Sequence, residues 1–327
     1  MKAIQLKEYG GPEVLRLIEM ERPSPQKKDV LIKIEAIGVN YADIARREGN
    51  YVVPTPLPYI PGLEVAGEVI EVGEEVKNVK VGTKVVTLLG AKRSTGYAEY
   101  TVADSRGLIP IPEGVDVREA VALPLQGLSA YHILKTMGRL EQGETVLVHA
   151  AAGGVGSIAV QLAKLFGAGK VIATASNEEK LNLAKSLGAD ETINYTEKHW
   201  PEKVLDLTNG HGADVILEMA GGEVFYQSLQ SLAPFGRLVF YGMASGIPVK
   251  MNPARLMEKN QTVSGFFLTQ MLAKPKLYAQ SLQELLEYLQ SGQLRLTIGG
   301  TYPLEEAANV HRLLQGRRTK GKLILVP

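Results

Sequence analysis

Cysteine is absent from the 327 residues. Disulfides, thiolate nucleophiles, iron–sulfur clusters and every cysteine-ligated zinc site go with it. No sign of charge is in excess: 36 Lys and Arg meet 35 Asp and Glu, a formal net charge of +1. No global field therefore draws the chain to nucleic acid or to a membrane surface, and no aromatic and basic stripe offers a platform for RNA. No run approaches the roughly 20 apolar residues of a membrane span. The opening "MKAIQLKEYG" turns polar before a signal-peptide core could form, so a cytoplasmic location is the expectation. Histidine is sparse as well: His132, His149, His199, His211 and His311 lie scattered without ligand spacing and read as surface or packing residues.

What is present is the composition of an ordinary soluble protein, 45% hydrophobic and 22% charged, long enough for two domains. Up to about residue 122, short strand-like runs such as "DVLIKIEAIGV" and "TKVVTLL" alternate with Gly and Pro, and "YADIARREG" reads as a short helix. Beyond it, apolar strands alternate with amphipathic helices, the rhythm of a doubly wound parallel sheet. "TVSGFFL" at 262–268 would supply its sixth strand. The tail after it is too small for a secure core of its own and is expected to pack on the N-terminal domain. The fold class is thus α/β, with a Rossmann-type domain over 123–262 and a β-rich domain made of 1–122 and 263–327.

"VLVHAAAGGVGSIAVQLAKLFGA" carries a glycine cluster between strand and helix, where backbone N–H groups can approach a pyrophosphate. Set on G-x-G-x-x-G, its positions are Ala151, Gly153 and Gly156, so the first glycine is an alanine. The expected cradle is Ala152, Gly153, Gly154, Val155 and Gly156. Selectivity lies at the end of the next strand, where NAD-specific sites carry Asp or Glu for the ribose hydroxyls. Ser176 stands there instead and leaves room for a 2′-phosphate, with Lys180 one turn on as a counter-charge. This favours NADPH over NADH. Against it, Asn177 could simply cap the helix, and Glu178 or Glu179 could reach a ribose.

The runs "GVNYADIARREGNY", "PGLEVAGEV", "HAAAGGVGSIAVQLAK", "LGADETINY" and "GKLILVP" together resemble the zinc-free quinone oxidoreductases of the medium-chain dehydrogenase/reductase superfamily, along the whole chain. The resemblance implies a GroES-like catalytic domain built from both chain ends around an inserted coenzyme domain. Zinc-dependent relatives place Cys and His where this sequence has Asn40 and Leu63, so no zinc is expected. Without a Lewis acid, alcohol oxidation is disfavoured. A quinone or activated alkene is already electron-poor and needs mainly orientation and a donor for the developing oxyanion.

The resemblance also implies that Asn40, Tyr51 and Asp43 serve the reaction, with Asn40 and Gln126 near the cofactor. Tyr51 is either a hydrogen-bond donor to the acceptor or aromatic packing beside the Pro-rich loop. By the same resemblance Tyr195, Ala220, Tyr241, Gly242, Phe267 and Arg317 contact the dinucleotide. Tyr131 and Lys135 match the Y-x-x-x-K of short-chain dehydrogenases, but they precede the glycine loop and read as helix packing. The expected activity is NADPH-dependent quinone reduction. The alternatives are reduction of 2-alkenals, enones or enoyl thioesters and, in another class, a cofactor-binding structural or RNA-binding protein. A homodimer joined through the coenzyme domains is the expected assembly.

Overall fold

The computed structural model describes residues 1–90 and 95–327. Its contacts divide the chain into two units, Met1–Leu128 with Leu268–Pro327, and Ser129–Phe267. These boundaries fall a few residues beyond those drawn from composition. Thr262–Gly265 pairs in parallel with Arg237–Phe240 and so belongs to the second unit's sheet.

The first unit is built on the strand Asp29–Val39, whose side chains are buried on both faces except near its middle. It pairs antiparallel with Glu64–Val72, Tyr100–Asp104 and Lys322–Val326. Lys322–Val326 in turn pairs in parallel with Ile298–Pro303, so the last strand of the chain sits inside the N-terminal unit's sheet. The helix Pro275–Gln290 buries Tyr278, Leu282, Leu285 and Leu286, the i, i+4, i+7, i+8 stripe that presents one apolar face.

The second unit is a six-stranded sheet with every pair parallel. Numbered along the chain, its strands are Thr145–Val148, Lys170–Ala175, Glu191–Asn194, Ala213–Glu218, Leu232–Phe240 and Thr262–Gly265. They lie in the order three-two-one-four-five-six. That is the dinucleotide-binding order, with its switch point beside the first strand. The helix Gly154–Leu165 is buried from Gly156 to Ala163, and its Ile158, Ala159, Val160, Leu162 and Ala163 side chains sit in the core. Tyr131 packs edge-on against Phe166 and accepts from Lys135 Nζ at 2.9 Å, as a helix-packing pair would.

Candidate functional site

Strand register gathers the first cluster. Val39 faces Leu323 and Ile37 faces Val65, so the residues just past these pairs, Asn40, Lys322 and Glu64, converge at one end of the central strand. All three are buried. The Asn40 amide nitrogen donates to Gly38 O at 3.1 Å and to Glu64 Oε1 at 2.7 Å. Its oxygen accepts from Lys322 Nζ at 2.8 Å and from Gln126 Nε2 at 3.4 Å. Lys322 also pairs directly with Glu64, whose second oxygen accepts from Leu125 N at 2.7 Å. Burial lowers the Lys322 pKa, and the Glu64 carboxylate opposes that fall. A Cβ at Gly38 would lie 2.3 Å from Glu64 Oε1, so glycine is what lets the carboxylate in.

Asn40 begins the helix Tyr41–Arg47, and Asp43 secures that turn by accepting from Asn40 N at 2.9 Å and from Gly62 N at 3.2 Å. Gly62 has φ +98, a left-handed backbone suited to glycine. Burial pushes the Asp43 carboxyl up to about 6 against the pull of these two N–H donors. Behind it, His311 takes Arg47 Nη1 on Nδ1 at 3.2 Å and meets Tyr97 Oη through Nε2 at 3.0 Å. Because the guanidinium is only a donor, Nδ1 is the acceptor and Nε2 carries the proton. Burial and the Arg47 charge push His311 down to about 3, so the ring stays neutral.

Tyr51 lies four positions beyond the last residue of this helix. The Arg46 guanidinium stacks 4.3 Å from its ring centroid and 5.4 Å from that of Tyr59, and Arg46 Nη1 donates to Thr55 Oγ1 at 3.2 Å. Burial raises the Tyr51 pKa and outweighs the lowering by Arg46, so the phenol is protonated at neutral pH.

In the second unit the expected dinucleotide contacts share one edge of the sheet, the carboxyl ends of its parallel strands. Ala152 to Gly156 follow the first strand, Ser176 the second, Tyr195 the third, Ala220 the fourth, and Tyr241 and Gly242 the fifth. Phe267 lies just past the sixth. Ala150 takes the left-handed turn at φ 49 that opens the loop. A Cβ at Gly156 would stand 2.3 Å from Ala150 O, so only glycine lets the helix start this close to the strand. Gly153 caps that helix without a side-chain hydrogen bond. First-turn amides lacking a side-chain cap are the feature that takes a pyrophosphate.

Ser176 and Lys180 are half-buried, and Asn177 Oδ1 accepts from Lys180 N at 3.0 Å as the helix cap. The capping reading of Asn177 and the phosphate reading of Ser176 with Lys180 are therefore compatible. Below the sheet edge, Glu218 accepts from Ala220 N at 2.8 Å and from Gly221 N at 3.2 Å, and burial raises its carboxyl to about 6. The half-buried Tyr241 is raised too, by burial first and the Glu218 charge second. His149 bridges Thr174 and Ser228, both at 2.9 Å, inside the core.

Arg317 is the one expected dinucleotide contact on the C-terminal segment. It belongs to the first unit, exposed, after the helix Ala307–Gln315 with φ 54. Sequence reasoning also passed over Glu64, Lys322 and Arg46 as site residues. Glu64 and Lys322 stood in the open, in "PGLE" and "GKLILVP", and nothing local signals that a strand pairing makes them neighbours.

At the position where zinc-dependent dehydrogenases present ligands, the donor set does not fit a divalent cation. Leu63 is apolar, and the Asn40 oxygen already accepts from an ammonium group. Among the described residues no group of three or more His, Asp or Glu could hold a metal ion. Among them, too, no helix is long and apolar enough to cross a membrane.

Family models match along both units: alcohol dehydrogenase GroES-like domain over residues 26–113, and zinc-binding dehydrogenase over 154–291. A quinone oxidoreductase of Pseudomonas aeruginosa is 38% identical, covering 100% of this chain and 99% of its own. The quinone oxidoreductase of Sus scrofa is 36% identical over 100% and 98%. An Escherichia coli quinone oxidoreductase solved in complex with NADPH superposes with a TM-score of 0.95 at 32% identity, covering 100% of both chains. The two units, their strand order and full-length similarity of this kind place the chain in the quinone oxidoreductase family of the medium-chain dehydrogenase/reductase superfamily.

Proposed function

We propose that the chain is an NADPH-dependent quinone reductase that works without zinc. The observation that carries this reading is the Lys322 ammonium on the Asn40 amide oxygen, at the position where an alcohol-oxidising relative needs a metal ligand. A site furnished in this way suits an acceptor that is already electron-poor. The uncapped helix start at Gly153, the close approach at Gly156 and the absence of an acidic residue at Ser176 support NADPH as the donor. Relatives named quinone oxidoreductase, one of them solved with NADPH, support the same reading.

Bound NADPH supplies a hydride, which with one proton from solvent converts a quinone to its hydroquinone and leaves NADP⁺. The chain contributes position and charge. Asp43 and the Lys322–Glu64 pair fix the strand-to-helix turn at Asn40. Asn40 spends both amide hydrogens and both oxygen lone pairs inside the protein, so it acts as a rigid wall. Tyr51, protonated, offers a hydrogen bond to the acceptor oxygen as negative charge develops there.

The test is oxidation of NADPH and NADH over benzoquinone, naphthoquinone, phenanthrenequinone and 2-alkenals, with and without a chelator. Faster oxidation of NADPH with quinones, unchanged by the chelator, is expected. Loss of turnover on chelation, or turnover confined to alkenals, overturns the reading.

A further inference from the structure

Two adjacent arginines of one helix are both buried, Arg46 at 0% exposure and Arg47 at 1%. Their surroundings differ in kind. Arg47 spends its donors on Gly10 O at 2.9 Å, His311 Nδ1 at 3.2 Å, Glu48 Oε1 at 2.6 Å and Gln315 Oε1 at 3.1 Å. It is a structural cross-link. Arg46 donates Nη1 to Thr55, while its Nε and Nη2 are buried with no hydrogen-bond partner among the described residues.

A guanidinium cannot escape burial by losing its proton, so an unmatched one calls for a counter-charge. The stacking of Tyr51 and Tyr59 on its faces stabilises the cation but leaves those two N–H groups unsatisfied. Nε–H and one N–H of Nη2 run parallel along one edge of the group. That edge matches the two oxygens of a planar anion, whereas a ketone oxygen engages it poorly. The charge is also permanent, and a permanent anion answers it better than an oxyanion that forms only during hydride transfer. Tyr51 is half-buried and its neighbour Val52 is 79% exposed, so the ring over the guanidinium stands at the solvent boundary.

We propose that the Nε/Nη2 edge of Arg46 is a carboxylate-binding subsite, and that the preferred acceptors are quinones carrying a carboxyl group. This rests on the quinone-reductase reading. Rotation of Tyr51 admits the acceptor, and its carboxylate takes the two free N–H groups while Thr55 holds the far side of the guanidinium.

The test compares a carboxyl-substituted 1,4-naphthoquinone with its methyl ester, which has nearly the same shape and no charge. The wild-type protein is expected to prefer the acid by tenfold or more in kcat/KM, and Arg46→Gln to bring that ratio close to one. Arg46→Lys keeps the charge but not the parallel pair, and is expected to lose several-fold of the preference; it carries the test where Arg46→Gln fails to fold. No preference in the wild type, or a wild-type ratio kept in both variants, overturns the proposal. A loss of NADPH affinity in Arg46→Gln as large as the loss for the acid also overturns it, because the anion would then be the cofactor's phosphate. Calorimetric binding of 2-naphthoate, which cannot be reduced, separates this from the reaction itself. Binding that weakens tenfold or more in Arg46→Gln upholds the subsite even where no quinone turns over, an outcome that would remove only the quinone reading.

Discussion

Lys322 donates to Asn40 at 2.8 Å across 282 positions of sequence, and the same ammonium pairs with Glu64. The central strand of the first unit makes these contacts possible, because it is paired on one side by the last strand of the chain and on the other by Glu64–Val72. Removing one member of such a pair leaves a buried charge unmatched. Lys322→Met is therefore expected to cost about 3–5 kcal/mol of stability. Adding Glu64→Gln to it should recover a large part, since two neutral groups replace one stranded carboxylate. Urea unfolding of the two single variants and the double variant measures the coupling. Additive losses would show that the pair does not act as a unit.

Cofactor choice is predicted to sit at the end of the second coenzyme strand. Ser176→Asp places a carboxylate where a 2′-phosphate is expected and should weaken NADPH far more than NADH. Lys180→Ala should weaken NADPH alone. Each lost charge-assisted contact is worth on the order of 1.5–3 kcal/mol, less where solvent screens the half-buried lysine. Fluorescence titration with both nucleotides decides it, and equal losses for NADPH and NADH would refute the assignment.

Much of this layout was legible because local pattern and global fold agree. The alternation of strand and helix after residue 122 yields the six parallel strands, and each expected contact from Ala152 to Gly242 lies in the loop or first helical turn that follows a strand. The boundary near residue 128 was less legible, because the helical stretch from Leu123 runs through Gly127 and on to His132, so no loop marks the division. The charged cluster around Asn40 was hidden for another reason. Periodicity reads each element separately, whereas Glu64 and Lys322 meet only through strand register. Arg46 and Arg47 show the same limit: "ARREG" presents two equivalent cations, and only packing distinguishes the satisfied one from the unsatisfied one.

Gly156 should tolerate no side chain. The obstacle to a Cβ is the backbone oxygen of Ala150 at 2.3 Å and the Ala151 Cα at 2.7 Å, neither of which can swing aside like a flexible side chain. Gly156→Ala is expected to cost about 1–3 kcal/mol through overpacking and to weaken NADPH by displacing the helix start. Gly153 has more room, with Ala150 O at 3.2 Å and φ −81, so Gly153→Ala should be milder in thermal unfolding. The reverse ranking would mean that the loop, rather than the helix approach, sets the constraint.

Acid sensitivity should trace in part to His149. Ser228 Oγ donates to Val224 O at 2.7 Å, so it accepts from His149 Nε2–H, and Thr174 donates to Nδ1. The ring is thus held neutral, and burial pushes its pKa from 6.5 down to about 4. The unfolded chain takes up a proton on this residue below pH 6.5 while the folded chain does not, so the stabilisation is complete above 6.5 and is lost as the pH falls toward 4. Asp43 and Glu218 work in the opposite sense, because their raised carboxyls bind protons in the folded state first. Comparison with His149→Gln cancels those contributions. Between pH 7 and pH 5 the wild type should lose about 2 kcal/mol more than the variant. Chemical denaturation across that range measures the difference. Parallel pH profiles would mean that His149 accepts a proton inside the fold as readily as outside it, and that the Thr174–His149–Ser228 chain does not set its charge.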